Sequence, residues 1–296
     1  IVEDALDWDS HLNRVRDEDM PPDDDDVTQP TMKERMAFVD WMQQTLSNAA
    51  CSDGIQPGPP MVRRLNQGEY SASVRALLDI HFDAGEALPN EGAGGEGFDN
   101  AAETLFISPI HAEKYLDAAR SAVKYAFADT RSSQRFLIAI PDENTTPPEA
   151  ARKILEEFLP RAFRRQASPD EISEYLDLFE QAYAEEKAFG PAMQVTLSAV
   201  LISPKFLFII ESPTGSAEPI PLDDFELATR LSYFLWGAPP DDTLMQVAAE
   251  GTLQEPETLK SQVMRMLKDP HARKVRNFAQ TFVEQWLGTR ALGREF

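Results

Sequence analysis

Cysteine is almost absent from this sequence. Among 296 residues only Cys51 carries a thiol, which excludes an internal disulfide framework and any CxxC or CxxCH site within these residues. The same scarcity leaves both the redox compartment and the role of Cys51 unread. Basic residues are also short: 28 Lys and Arg stand against 50 Asp and Glu, a formal charge of −22. That imbalance argues against a nucleic-acid backbone or an anionic membrane as partner and would suit a cationic protein. No apolar run approaches the roughly 18 residues a membrane span needs, so none is expected. The opening "IVEDALDWDS" lacks an initiator Met, a basic n-region and an apolar h-region. The chain therefore reads as a fragment or a processed form.

Strand-like alternation is nearly missing as well. "RFLIAIP" (135–141) is the best strand candidate, and "KFLFII" (205–210) reads as a short strand or a buried helical turn. What the sequence has in quantity is helix starts. Thr31 with Glu34, Asn66 with Glu69, Asn100 with Glu103, Thr146 with Glu149, Ser168 with Glu171 and Asp223 with Glu226 all have capping-box spacing. Ser108-Pro109, Ser203-Pro204 and Asp269-Pro270 repeat the cap followed by proline at the first helical position. Apolar stripes of helical period follow: Ala112, Leu116, Ala119 and Val123; Ile172, Tyr175, Leu176 and Phe179; Val275, Phe278, Phe282 and Trp286. The expected fold is all-α, several small helical modules in tandem with at most one or two short strands. Pro/Gly-rich breaks at 51–60, 140–148 and 211–221 place an N-terminal piece at 1–50 and modules at 57–130, 146–212 and 220–296.

Candidate sites are few. "GAGGEG" (92–97) matches G-x-G-x-x-G in letters only, because a polar, proline-broken stretch precedes it and Glu91 and Glu96 would repel a pyrophosphate. The run Asp23 to Asp26 lacks the glycine of a calcium loop, since Thr28 stands at its sixth position, although Glu34 fits the twelfth. His11, His81, His111 and His271 lie far apart without paired spacing, so no metal site is expected. No nucleophile motif appears, and no catalytic residue is assigned. "RAFRR" places Arg161 and Arg165 on one helical face beside Arg164, a possible anion site or, more blandly, a set of ion pairs. In "GFDN" (97–100), Asn100 reads as an N-cap and Phe98 as its apolar anchor. Met20, a thioether in "RDEDMPPDDDD", is either a ligand or a methionine packed under a proline turn.

Read in order, the segments resemble a known arrangement. "VRRLNQGEYSASVRALL" with "GFDNAAETLFISPIHAEKYLDAA", then "ILEEFLPRAFRRQASPDE" through "LISPKFLF", then "LDDFELATRLSYFLWGAPPDDTLMQVAAEGTL" through "RMLKDPHARKVRNFAQTFVEQWLGTRAL" resemble successive domains of exported planctomycete-type cytochrome-associated proteins. Such proteins also occur in acidobacteria. The resemblance runs from about Met20 to Leu292 and concerns domains of unknown function. It implies that residues 1–50 are the end of a cytochrome c-like domain, with Met20-Pro21-Pro22 as its "MPP" loop and Trp41 on its final helix. Met20 then resembles the distal haem ligand of a c-type haem whose CxxCH half would precede Ile1. In this stretch, without that half, no haem is attachable, and Met20 is expected in a loosely held or exposed segment. The family pattern also puts cysteines near Ala139 and Ala150, so a disulfide common in relatives would be missing.

Two function classes follow from the resemblance. In the first, the chain is the central part of an exported, periplasmic or cell-surface haem-c protein, serving electron transfer or partner docking for an oxidoreductase. In the second, the modules are a non-catalytic scaffold for surface, polymer or protein interaction.

Overall fold

In the computed structural model the residues described are 5–22, 28–52, 62–89, 98–102, 105, 107–211, 220–268 and 282–289. The chain divides into two compact units, one within residues 1–59 and one within 60–215 and 220–296.

The first unit is a helical pair, α1 (Ala5–Arg16) and α2 (Met32–Ser52). Leu12, Val39 and Met42 are buried between them, with Trp8, Val15 and Leu46 partly covered. Thr31 and Glu34 close the start of α2 as their spacing predicts, the Thr31 amide donating to the Glu34 carboxylate at 2.8 Å.

The second unit begins with β1 (Arg63–Arg64) and α3 (Gln67–Leu78), then α4 (Pro109–Ala128), α5 (Thr130–Phe136), α6 (Pro147–Phe163), α7 (Pro169–Glu186), α8 (Phe189–Ile202) and α9 (Pro204–Leu207). It continues through β2 (Phe208–Ile209), α10 (Asp224–Trp236), α11 (Asp242–Ala249) and α12 (Pro256–Leu267). The fold is all-α, and β1 and β2 form a two-stranded antiparallel ribbon pairing Arg63 with Ile209 and Arg64 with Phe208. Capping boxes start α3, α7 and α10 at Asn66, Ser168 and Asp223, and Glu149 reaches back to the Thr146 amide at α6. Ser108 caps α4 with His111 rather than a carboxylate in the reciprocal place.

α8 is apolar nearly all round and packs against both α4 and α7. Modules 57–130 and 146–212 therefore share one core, from Leu65 through Leu207, which Tyr233 of α10 also joins. A smaller core holds α10 to α12 together around Trp236, Leu244 and Met266, and the Trp236 indole donates to the Met266 carbonyl at 3.2 Å.

Several expectations need correction. "RFLIAIP" is not a strand: Asp129 caps α5, which runs to Phe136, and residues 137–141 are irregular. "KFLFII" is both alternatives in succession, α9 and then β2. The stripe on α4 is rotated, with Ala112 exposed and Tyr115, Ala118, Ala122 and Ala126 buried beside Ala119 and Val123. Phe282 and Trp286 are 42% and 68% exposed rather than core, while Val275, Phe278, the run 23–26 and the glycines 92–97 lie outside the described residues.

Candidate functional site

Polar chemistry in the second unit gathers around three arginines. Successive residues of a strand face opposite ways, so β1 sends Arg63 and Arg64 to different surroundings. Arg63 grips Glu69 through two bonds of 2.6 and 3.0 Å. The same carboxylate accepts from the Asn66 amide at 3.0 Å, so the helix cap and the ion pair share one group. Asn66 passes the network on, its side-chain amide donating to Asp99 at 3.0 Å, and the Asp99 amide donates to Gln285 at 2.7 Å. Phe98 stacks on Phe282 with ring centres 5.8 Å apart. Phe98 and Asp99 are thus connectors; Asn100 lies in a turn, and Gly97 and Glu103 lie outside the described residues.

Arg64 is 1% exposed. It donates to the Leu65 and Leu105 carbonyls at 3.1 and 3.4 Å and to the Tyr115 hydroxyl, over whose ring it sits. Tyr70, packed edge-on to Tyr115 at 4.8 Å, is fully buried and its hydroxyl has no hydrogen-bond partner. Burial pushes that phenol far above its ordinary pKa.

Arg164 ends α6 in the left-handed region, φ 59°. It is 4% exposed and bonds main-chain carbonyls only: Ala162 and Phe206 at 3.2 and 3.1 Å, Lys205 and Phe208 at 3.2 and 2.8 Å. Ala162, Lys205 and Phe206 lie in the last turns of α6 and α9, where carbonyls lack helical donors. Arg164 therefore fills the role of a C-cap for two helices at once.

That turn separates the flanking arginines, contrary to the shared face expected for Arg161 and Arg165. Arg165, beyond the helix end, clamps Glu171 through bonds of 2.9 and 2.7 Å, and Lys205 meets the same carboxylate at 3.0 Å. Arg165's hydrogen bonds, helped by Lys205, hold the Glu171 carboxyl far below its ordinary range. Arg161 faces the other way and meets Asp242 at 3.4 Å. Two clefts result, and Arg164 lines both. One, of about 180 Å³, contains Arg165 and Lys205 but also Glu211, Asp223 and Glu226. The other, of about 270 Å³, contains Arg135, Arg161, Ser73, Phe206 and the Pro239-Pro240 turn but also Asp241 and Asp242.

In the first unit Met20 is half-buried and held rather than loose. Its amide donates to the Arg14 carbonyl at 3.1 Å, and its carbonyl accepts from Arg35, which is 5% exposed. Arg35 also bonds Gln29 at 2.8 Å, and Gln29 donates to the Pro22 carbonyl at 2.9 Å. The expectation of a loose segment overlooked that a buried guanidinium needs acceptors, and this turn supplies them. On α2, Phe38 and Trp41 are 40% and 56% exposed with ring centres 6.0 Å apart. Among the described residues no group of three His, Cys, Asp or Glu side chains is placed to hold a metal.

Sequence reading identified Arg161, Arg164 and Arg165 but missed Arg63, Arg64 and Arg135. The doublet was readable only as part of a resemblance, and Arg135 had no local signal.

Tandem helical modules pinned by buried arginines define the class of chain this is. More particularly, three family models match it in order: residues 63–128 match PSD3, a protein of unknown function (DUF1587), residues 150–211 match PSD5 (DUF1595), and residues 222–295 match PSD4 (DUF1592). No curated protein and no solved structure matches.

Proposed function

We propose that this chain is the central part of an exported haem-c protein, in which the helical modules dock a partner for electron transfer. The observation carrying this reading is the Met20-Pro21-Pro22 turn, whose main chain is fixed by the buried Arg35 while the Phe38 and Trp41 rings stand open on α2. A thioether on a fixed turn, in a unit that also carries uncovered aromatic side chains, is what a haem domain would need from its C-terminal end. Families of the three matched kinds typically accompany cytochrome c-containing proteins, which agrees with it.

The residues present fit that group only in part. One cysteine cannot make a CxxCH attachment, and Met20 offers a single axial ligand. When bound, haem with methionine and histidine ligands would supply one-electron chemistry at a raised potential. This chain's own contribution is positional: Arg35 holds the Met20 carbonyl, and two prolines reduce the freedom of the turn.

The test joins an upstream CxxCH-bearing segment to this chain and compares wild type with Met20→Ala. Loss of the weak long-wavelength band of methionine-ligated ferric haem, with a lowered potential, is expected. An unchanged spectrum and potential would overturn the ligand assignment. Binding of a protein or polymer that does not depend on haem would replace this reading with that of a scaffold.

A further inference from the structure

We propose that the cleft walled by Arg135, Arg161 and Arg164 binds a small ligand carrying more than one anionic oxygen, a phosphate monoester or a dicarboxylate. The inference does not depend on the haem reading.

Charge on this protein runs strongly the other way, with 50 acidic residues against 28 basic. Three guanidiniums against two carboxylates, Asp241 and Asp242, in one cleft therefore make a local exception. They are graded by depth: Arg135 and Arg161 side chains are 58% and 30% exposed, and Arg164 is 4% exposed. Arg164 spends its bonds on carbonyls and leaves its charge without a carboxylate among them.

The two outer arginines are underused. Among the described residues neither makes a hydrogen bond; Arg135 lies 3.9 Å from Asp79, and Arg161 has only the 3.4 Å contact with Asp242. Asp242 is 79% exposed, at the start of α11, and occupies Arg161 as a replaceable carboxylate would. A guanidinium presents a planar fork of donors suited to two oxygens at once. The neighbouring cleft offers a useful contrast. Its Arg165 and Lys205 are committed to Glu171, and three further carboxylates line it.

The opposite wall is already shaped for a ligand. Gly237 ends α10 at φ 58°, Pro239 and Pro240 follow, and Asp241 is locked by two bonds of 2.7 and 3.0 Å to Arg265 while capping Leu244 at 2.9 Å. Little ordering cost would then accompany binding. The cleft's buried apolar lining comes from Leu77, Ala162 and Phe206. A volume of about 270 Å³ suits a ligand of few heavy atoms with a short apolar stem.

Isothermal titration calorimetry at low ionic strength, with inorganic phosphate and with succinate as probes and chloride as the matched control, tests this. Saturable binding of phosphate or succinate but not chloride is expected, and the better probe identifies the head group. Arg161→Gln and Arg135→Gln should each weaken it by about tenfold. Asp242→Asn should tighten it, because the competing carboxylate is gone, whereas Asp177→Asn, the same charge change at an exposed position of α7, should not. Lys124→Gln on α4 should leave it unaltered. Absence of saturable binding for both probes would overturn the proposal. So would binding that survives the double arginine substitution, or equal tightening by both aspartate variants.

Discussion

Replacing Arg164 by leucine removes the donors that four main-chain carbonyls share at the junction of α6, α9 and β2. Three of these carbonyls lie in final helical turns, so no helical amide can take over. A buried polar group left without its partner costs about 1–3 kcal/mol. Leucine recovers part of that loss by apolar burial, giving an expected net destabilisation of about 3–5 kcal/mol. With a urea m-value of about 3 kcal/mol/M, the midpoint followed by far-ultraviolet circular dichroism should fall by about 1–2 M. Arg164→Gly separates the two roles of the residue, because glycine accepts the left-handed backbone at no steric cost while losing the same bonds. It should remain clearly less stable than wild type. A loss below about 1 kcal/mol in the leucine variant would refute the claim that this guanidinium caps two helices.

Glu171 has a folded pKa far below its usual 4.5, so its stabilising contribution is complete above that value and is lost as pH falls beneath it. Melting temperature plotted against pH should therefore decline less steeply on the acid side in Glu171→Gln than in wild type, and parallel curves would refute the clamp. A methyl group at Gly85 would stand 2.5 Å from the Gln67 carbonyl oxygen, so Gly85→Ala should cost about 1–3 kcal/mol in a urea titration. Ala150 is fully buried in the first turn of α6 and Ala139 is half-buried in the segment before it. If the family cysteine pattern maps there, the Ala139→Cys, Ala150→Cys pair should oxidise to a bridge worth about 2–3 kcal/mol by thermal melting. Persistent free thiols after air oxidation would show that the mapping is wrong.

Helices were legible in this sequence because their ends are written locally. Asn66 with Glu69 and Ser168 with Glu171 state a boundary within four residues, and the structure forms both boxes. Stripe rotation on α4 was harder to read, since a run rich in alanine offers two adjacent faces and its neighbours, α8 above all, decide between them. The arginine network was least legible. Arg64 meets Tyr115 and Arg164 meets Phe206 across long stretches of sequence, and Arg135 joins Arg161 in a cleft through the packing of α5 and α6 on each other and on α3. Glu171 was read as half of a helix cap, which it is; its second duty to Arg165 depends on a left-handed residue that no local signal announced.

The common core of α4 and α8 bears on how such a chain can be inherited. The matches at 63–128 and 150–211 mark separate units of sequence, yet α8 of the second completes the packing of α4 from the first. A cut at 140–148 would divide one core, leaving Ala119 and Val123 on one piece and Leu197 and Leu201 on the other. Neither piece could be transplanted alone without an interface fitted to its former neighbour. Selection acting on such a pair would constrain order and spacing together, as it would within one domain.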